Sequence, residues 1–529
     1  MARTSRRRRA AKLMAKPSVK AESFLDELKY NLDDRLSKLP NDILVNILDR
    51  LNCRDVTRTS VLSRQWSQLP AKLSWLKISA RDFMHSQASV SDDELDEKLA
   101  KINTLRRINA INAANAAVVK ATKSMLEHRD PGGCTIRLLS MAFYLRGDAP
   151  ISIGHTVGNA MATHKVVKAE FTVLTEKEHT LIPDDVLNYG TRFVSFFNEC
   201  HNAFAGLTRL ELANLRFPES DFVSSILVTC KQLNYLGFHN CDTSDWITLQ
   251  VEHAQLSELS IFDCRFDMVE LTWVPKLTCL AFLFWRSSQE LPLSLGYVPL
   301  LGVLRLSNIA RTMHKMVKLS TLLHETSVRD MTLGFKCEKI WVQPECLARR
   351  QAHVFQQLRI LNLVNIPEGY DLTWTMFFLE AAPSLEELYM TVIDHPCEML
   401  MDEELRREEF YSDNKGVEWE SPTSNFKHHR LAKLTIFCFQ SEDYMMSHVR
   451  RVMEAAVNLE DVYLFDRLTC DGCRGVTPLK PIRFPEESRH RRWVEKQIRK
   501  GGIESLATIH FLGTGAIRGD ILARIATGY

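Results

Sequence analysis

The apolar positions of this chain follow a helical period first and a strand period later. Between Asp34 and Ile78, Ile43, Leu44, Ile47, Leu48 and Leu51 recur at helical spacing and build one broad apolar face. Pro40 stands at its start, where a fixed φ and a missing N–H suit a first helical turn. Asn52 to Arg54 end that helix; Asp55 is placed to cap a second carrying Val56, Ser60, Val61 and Leu62, and Ser63 a third presenting Trp66 and Leu69. Three such helices make a poor core, since a single core well under about 60 residues is marginal without a partner, metal or disulfide. The pattern therefore points to a helical module completed by another protein, or to a cap whose apolar residues face the chain behind it. The alanine-rich, glycine-free stretch Leu95 to His128 predicts a long helix, a spacer or a simple packed helix, and Asp130-Pro131-Gly132-Gly133 stops it.

From Cys134 the pattern changes to a recurring L-x-x-L-x-L. Its clearest copies begin at Leu207, Leu233, Leu256, Leu277, Leu301, Val328, Leu358, Leu385, Leu431 and Leu459, most of them roughly 21 to 30 residues apart. Weaker copies at Ile136 and Val166 extend the array upstream, and Leu506-x-x-Ile509-x-Phe511 closes it downstream. One short strand per repeat predicts an α/β solenoid, a horseshoe with a parallel β-sheet on its concave face. Strand alternation then places Arg209, Glu211, Tyr235, His239, Glu258 and Phe262 on that face in the first half, and Glu387, Tyr389, Lys433, Phe437, Asp461, Tyr463 and Phe465 in the last strands. The period fails between Leu385 and Leu431, where Asp394 to Arg430 contains the acidic run Glu398 to Phe410 and then Asn414-Lys415-Gly416. This insertion either folds over the concave side or stands out to meet a partner. Tyr389, Phe437, Tyr463 and Phe465 flank it and form a candidate target-binding patch, or else pack beneath it. Ser488 to Lys500 is a basic amphipathic helix suited to cap the array.

Leu39-Pro40, Ile43-Leu44, Ile47-Leu48, Leu51, Asp55 and Val61-Leu62-Ser63-Arg64-x-Trp66 together resemble the F-box signature of plant F-box proteins with leucine-rich repeats. The resemblance implies docking on a Skp-like adaptor, and through it on a cullin, with Leu39, Pro40, Ile43, Leu44, Ile47, Leu48, Leu51, Val56, Val61, Leu62 and Trp66 as the adaptor-binding set. Gly416 to Trp419 and Phe426 to Leu434 resemble the opening of the FBD-type C-terminal part of such proteins. The implied organisation is a disordered basic tail (1–33), an F-box (34–78), a helical linker (79–133), leucine-rich repeats (134–393), an acidic insertion (394–430) and FBD-like C-terminal repeats (431–529).

The 529 residues exceed one ordinary domain, and a net charge of +2 argues against a general nucleic-acid-binding surface. No apolar run approaches a membrane span. The 13 cysteines are scattered, which fits free thiols in a reducing compartment, nucleus or cytoplasm. Arg6, Arg7, Arg8 and Arg9 form a candidate nuclear import signal or a solvated tail. Cys241 and Cys264 occupy the small buried position of their repeats, and Cys470-Asp471-Gly472-Cys473 lacks a second ligand pair. The chain carries no G-x-S-x-G, G-x-x-x-x-G-K-[ST], H-E-x-x-H or strand-linked G-x-G-x-x-G. The expectation is a non-catalytic substrate receptor of a ubiquitin ligase, without cofactor or metal, binding an unidentified protein target. The alternative is a non-degradative repeat scaffold.

Overall fold

The structure is a computed structural model that describes residues 38–84, 97–127, 135–177, 181–285, 291–308, 316–324, 326–335, 340–345, 352–393, 416–417, 419, 426–467, 483–502 and 505–513. The tail with Arg6 to Arg9, the run Glu398 to Phe410 and Cys470 to Cys473 lie outside these residues.

The helices are α1 (Asn41–Leu48), α2 (Cys53–Thr59), α3 (Arg64–Gln68), α4 (Glu97–Glu127), α5 (Ala149–Ala162), α6 (Pro183–Glu199), α7 (His201–Ala205), α8 (Phe222–Thr229), α9 (Leu319–Leu322), α10 (Met376–Ala381), α11 (Asp443–Ala455) and α12 (Ser488–Ile498). The strands are β1 (Trp75–Ser79), β2 (Ile136–Tyr144), β3 (Val166–Leu174), β4 (Leu207–Ala213), β5 (Arg216–Phe217), β6 (Tyr235–His239), β7 (Asp242–Thr243), β8 (Thr248–Glu252), β9 (Glu258–Phe262) and β10 (Met268–Trp273). They continue with β11 (Cys279–Trp285), β12 (Leu293–Tyr297), β13 (Val303–Asn308), β14 (Asp330–Gly334), β15 (Ile360–Ile366), β16 (Glu387–Val392), β17 (Lys433–Phe437), β18 (Asp461–Phe465) and β19 (Thr508–Leu512).

A 14-stranded sheet runs β1-β2-β3-β4-β6-β9-β11-β13-β14-β15-β16-β17-β18-β19, each strand parallel to the next. Every copy of the leucine motif supplies one of these strands. The second leucine of each copy sits in register with that of the next: Leu210, Leu236, Leu259, Leu280, Leu304, Met331, Leu361, Leu388, Leu434 and Val462 form one continuous buried row. A one-residue slip would turn that row outward, so burial of the row fixes the register. The last copy keeps the register, Ile509 pairing with Val462 and Phe511 with Leu464, but its first leucine is lost to solvent: Leu506 is 97% exposed and Ala507 is buried at 1%.

The array also begins earlier than the leucine pattern suggests. β1 lies at the end of the helical module and is already a strand of the main sheet, paired with β2. Helix α4 is the convex-side helix between them rather than a free spacer, with Ile111, Ala114, Val118 and Leu126 buried along one face. Its Asn115 is 2% exposed and mimics a strand neighbour: Nδ2 donates to the Tyr144 carbonyl at 2.8 Å while Oδ1 accepts the Tyr144 N–H at 3.0 Å.

Sharp chain reversals end the concave strands. Asn214, Asn240, Asp263, Phe284, Asn365 and Cys438 all take positive φ at or near strand ends, and asparagine is the non-glycine residue that tolerates this best. Asn240 Nδ2 donates to Asn214 Oδ1 at 2.8 Å and Asn214 Nδ2 to Thr175 Oγ1 at 2.9 Å, which ladders successive repeats. Cys241 and Cys264 sit in the adjoining turns, their thiols donating to the backbone carbonyls of His239 and Phe262. Two repeats open with a buried histidine instead. His253 and His428 each accept two backbone N–H groups at Nδ1, and Nε2–H reaches back to Cys230 and Ala382 carbonyls just past α8 and α10.

On the convex side the packing is phenylalanine-rich around α5 to α8, where Phe143, Phe171, Phe193, Phe196, Phe204 and Phe222 meet mostly edge to face. Such pairs contribute about 0.5–1.5 kcal/mol each beyond burial. A small parallel sheet, β12-β10-β8, replaces helices in the middle repeats. Among the described residues no helix is long and apolar enough to cross a membrane.

Candidate functional site

The N-terminal helices are built from their ends inward. Leu44 N–H bonds the Pro40 carbonyl at 3.1 Å, so Pro40 opens α1. Asn52, not Asp55, caps α2: Asp55 N–H donates to Asn52 Oδ1 at 2.9 Å and Asn52 Nδ2 returns to Asp55 Oδ2 at 2.9 Å, a reciprocal pair at cap and third helical position. Ser63 Oγ accepts from Trp66 N–H to cap α3, and Gln65 Nε2 ties α3 to Asn41 Oδ1 at 2.9 Å.

These helices do not wait for a partner to acquire a core. Leu44, Leu48, Val56 and Trp66 are at most 3% exposed and join Leu69, Leu73, Leu76 and Ile78 in the core of the repeats, so β1 completes the module. Of the two readings of the helical module, the cap whose apolar residues face the chain behind it describes Leu44, Leu48, Val56 and Trp66, whose side chains turn into the core in this structure because an amphipathic helix that presents one face buries the other. Leu39, Ile47 and Leu51 are half-buried along the seam. What remains outside is Pro40 with Ile43, Val61 and Leu62, the last three 41%, 83% and 64% exposed. Val61 and Leu62 follow α2 and precede the α3 cap, so a short turn places both apolar side chains in water. Cys53, buried behind α2, has its thiol pushed up to about 11 by that burial.

The aromatic residues singled out at the other end are brought together but closed off. Tyr389, Phe437 and Phe465 are 3%, 0% and 3% exposed and form, with Ile393 and Cys438, an apolar cluster separate from the main core. Phe437 and Phe465 stack with centroids 4.9 Å apart, and half-buried Tyr463 stacks on His510 at 4.7 Å. Lys433 Nζ donates to the Tyr389 hydroxyl at 3.1 Å, and Tyr389 bonds Glu387. Strand alternation placed these rings on the correct face but carries no information about cover; buried rings have no free surface for a target. The middle row of the concave face is likewise buried over much of this half, at Ala281, Thr332, Asn362 and Thr435.

The open part of the concave face is the N-terminal part, away from the candidate patch of Tyr389, Phe437, Tyr463 and Phe465. Trp75 on β1 and Val167 on β3 are 55% and 60% exposed. An open cavity of about 550 Å³ is lined by Trp75, Arg137, Lys168, Glu170, Arg209, Tyr235 and Glu258. One register row carries Lys77, Ser140, Glu170, Arg209, Tyr235 and Glu258 across six strands. The Arg209 guanidinium lies 3.3 Å from the Tyr235 ring centroid and 3.3 Å from Glu211. The Tyr235 ring lies down over Gly237, where a Cβ would stand 2.8 Å from the phenol oxygen, so glycine makes the flat ring possible. Burial raises the Tyr235 phenol above its ordinary value and keeps it a neutral donor. The pocket offers aromatic rings and charges of both signs on one open surface. Among the described residues no group of His, Cys, Asp and Glu gathers to hold a metal ion.

Comparison with known proteins places both halves. The F-box domain family matches residues 36–76, and the family described as At1g61320/AtMIF1, LRR domain, matches residues 194–480. From Arabidopsis thaliana, F-box/FBD/LRR-repeat protein At2g04230 is 24% identical over 253 residues, 45% of this chain and 50% of the relative. Putative F-box protein At1g67390 is 25% identical over 236 residues, 44% and 46%, and F-box/LRR-repeat protein At3g26922 is 22% identical over 238 residues, 44% and 68%. The matched part thus spans about half the length of the first two relatives. With helices sealed onto a repeat array at one end and a leucine-repeat match across more than half its length, the chain belongs to the plant F-box proteins with leucine-rich repeats, in the At1g61320/AtMIF1 LRR family.

Proposed function

We propose that this protein is the substrate-receptor subunit of a cullin-based ubiquitin ligase, with no catalytic group of its own. The observation that carries the reading is the split of the F-box helices: Leu44, Leu48, Val56 and Trp66 are buried in the core shared with the repeats, while Pro40, Ile43, Val61 and Leu62 stay in water. Exposed clustered aliphatic side chains on well-packed helices are an interface waiting for its partner. The partner in this reading is a Skp-like adaptor, through it a cullin. The target is then held in the open cavity around Trp75, Arg209 and Tyr235, which starts at β1, the strand that follows the docking helices, and reaches across to β9. Rate acceleration comes from proximity, because a target fixed beside a charged conjugating enzyme meets its thioester at high effective concentration. No cofactor enters this scheme. The tail cluster Arg6 to Arg9 is assigned to nuclear import.

Affinity capture of the tagged protein tests the reading. Adaptor and cullin should both be recovered with the wild type, and both should be lost with Val61→Asp/Leu62→Asp. Recovery of the adaptor without cullin supports a scaffold outside the ligase; undiminished recovery with the double variant overturns the interface.

A further inference from the structure

Helix α12 is mounted with unusual care for the last helix of a repeat array. Its inward side chains Val494 and Ile498 are fully buried. Arg450 of α11 donates to the carbonyls of Gln497 and Ile498 at 2.6 and 3.2 Å, capping its C-terminal end. Arg499 donates to the carbonyls of Ser505 and Ala507 at 2.8 and 2.6 Å, and Arg491 to that of Pro485 at 3.0 Å. Those arginines fix the helix and leave a different set to face outward. Arg489, Arg492, Trp493 and Lys496 recur at i, i+3, i+4 and i+7, one stripe along the solvent side, with Lys500 just beyond the helix on the same line. Trp493 is 46% exposed, with the His490 ring 5.8 Å from its own. Among the described residues no carboxylate pairs with Arg489, Arg492, Lys496 or Lys500, whereas Arg499 is matched by Glu495 at 3.4 Å.

We infer that this outward stripe of α12 is a second docking surface, for an acidic polypeptide segment carrying one apolar side chain. Like charges held side by side on a helix repel each other, and an acidic partner removes that repulsion. Trp493 supplies the anchor that converts a charge match into a specific contact, as aromatic and arginine residues do at interface centres. A lipid surface fits less well, since the apolar face of the helix is already buried in the fold and one half-exposed ring is little to insert. Nucleic acid fits less well too: a protein with net charge +2 offers one basic stripe, not a track following a phosphate backbone. This surface is independent of the F-box helices, which lie at the other end of the sheet.

The test is a titration of the full-length protein with a short Glu/Asp-rich peptide bearing one central Phe, at low and physiological ionic strength. The wild type should bind it, more weakly as salt rises. Arg489→Glu/Arg492→Glu/Lys496→Glu should weaken binding by on the order of tenfold or more, Trp493→Ala should weaken it at both salt concentrations, and replacing the peptide's Phe by Ser should reproduce the Trp493→Ala loss. Should charge reversal lower the melting temperature, the glutamine series Arg489→Gln/Arg492→Gln/Lys496→Gln carries the same expectation. Absence of wild-type binding, or equal binding by the charge variants, overturns the proposal. Tighter binding of a short DNA duplex or of phosphatidylserine vesicles, lost in the same variants, overturns the assignment to a polypeptide.

Discussion

At the scale of single residues, buried histidines set the most distinctive property of this molecule. His253 and His428 use Nδ1 twice as an acceptor, so they must stay neutral to make their bonds. Burial lowers both below the ordinary histidine value of 6.5. His448 on α11 is 1% exposed, has no hydrogen-bond partner at either ring nitrogen among the described residues, and is lowered to about 4 by burial, with Arg451 adding to the shift and Asp371 opposing it. In each case the folded pKa lies below the unfolded one. The associated stability is therefore full above pH 6.5 and declines as pH falls, over the window down to about 4 for His448. That window corresponds to on the order of 3 kcal/mol for His448 alone. Melting curves at pH 7.5 and 5 should show a marked loss for the wild type and a smaller one for His448→Met, which also removes two orphaned nitrogens; parallel losses would contradict this. None of these roles is marked in the sequence. A histidine three residues before a repeat leucine shows its meaning only when the carbonyl past the preceding helix lies within reach, whereas Cys241 and Cys264 were legible because a small side chain at a fixed repeat position has one place to go.

At the scale of elements, the period marked β2 and every later strand of the main sheet, missed β1 and the strands of the two small sheets, and did not say which faces are covered. Tyr389, Phe437, Tyr463 and Phe465 share the concave face because side chains alternate, and that much follows from spacing. Whether they are open depends on how closely Ile360, Ile393, Cys438 and Leu512 pack around them, which alternation does not encode. Being buried, Phe465 should behave as a core residue: Phe465→Ala should cost about 3–5 kcal/mol of stability and impair target capture only as far as it unfolds the repeats. Trp75→Ala/Arg209→Ala, in the open half, should leave the melting temperature nearly unchanged and abolish capture. Thermal denaturation beside a target pull-down reads both, and a selective capture defect in Phe465→Ala at unchanged stability would contradict the assignment. The same lesson holds for α1. Its apolar residues are all visible in the sequence, yet Leu44 and Leu48 turn into the core while Ile43 turns to water, a division that depends on what packs behind the helix.

At the scale of the whole molecule, the protein joins two rigid parts through one hydrophobic core. Ile78 of β1 and Trp66 of α3 belong to the same cluster as Leu464 of β18, so one core runs from the F-box helices through the sheet. A receptor that works by proximity gains from such continuity, since the target is presented at a fixed place relative to the adaptor. The central claim is that the outward face of the F-box helices, and not their inward face, contacts the adaptor. Titration calorimetry with a purified Skp-like adaptor tests it most directly, comparing the wild type, Val61→Asp/Leu62→Asp, and Trp66→Phe as a conservative change on the inward side. The account predicts wild-type affinity for Trp66→Phe, with a lowered melting temperature, and a loss of about a hundredfold or more for the double variant at an unchanged melting temperature. Equal affinity of the double variant and the wild type would contradict it.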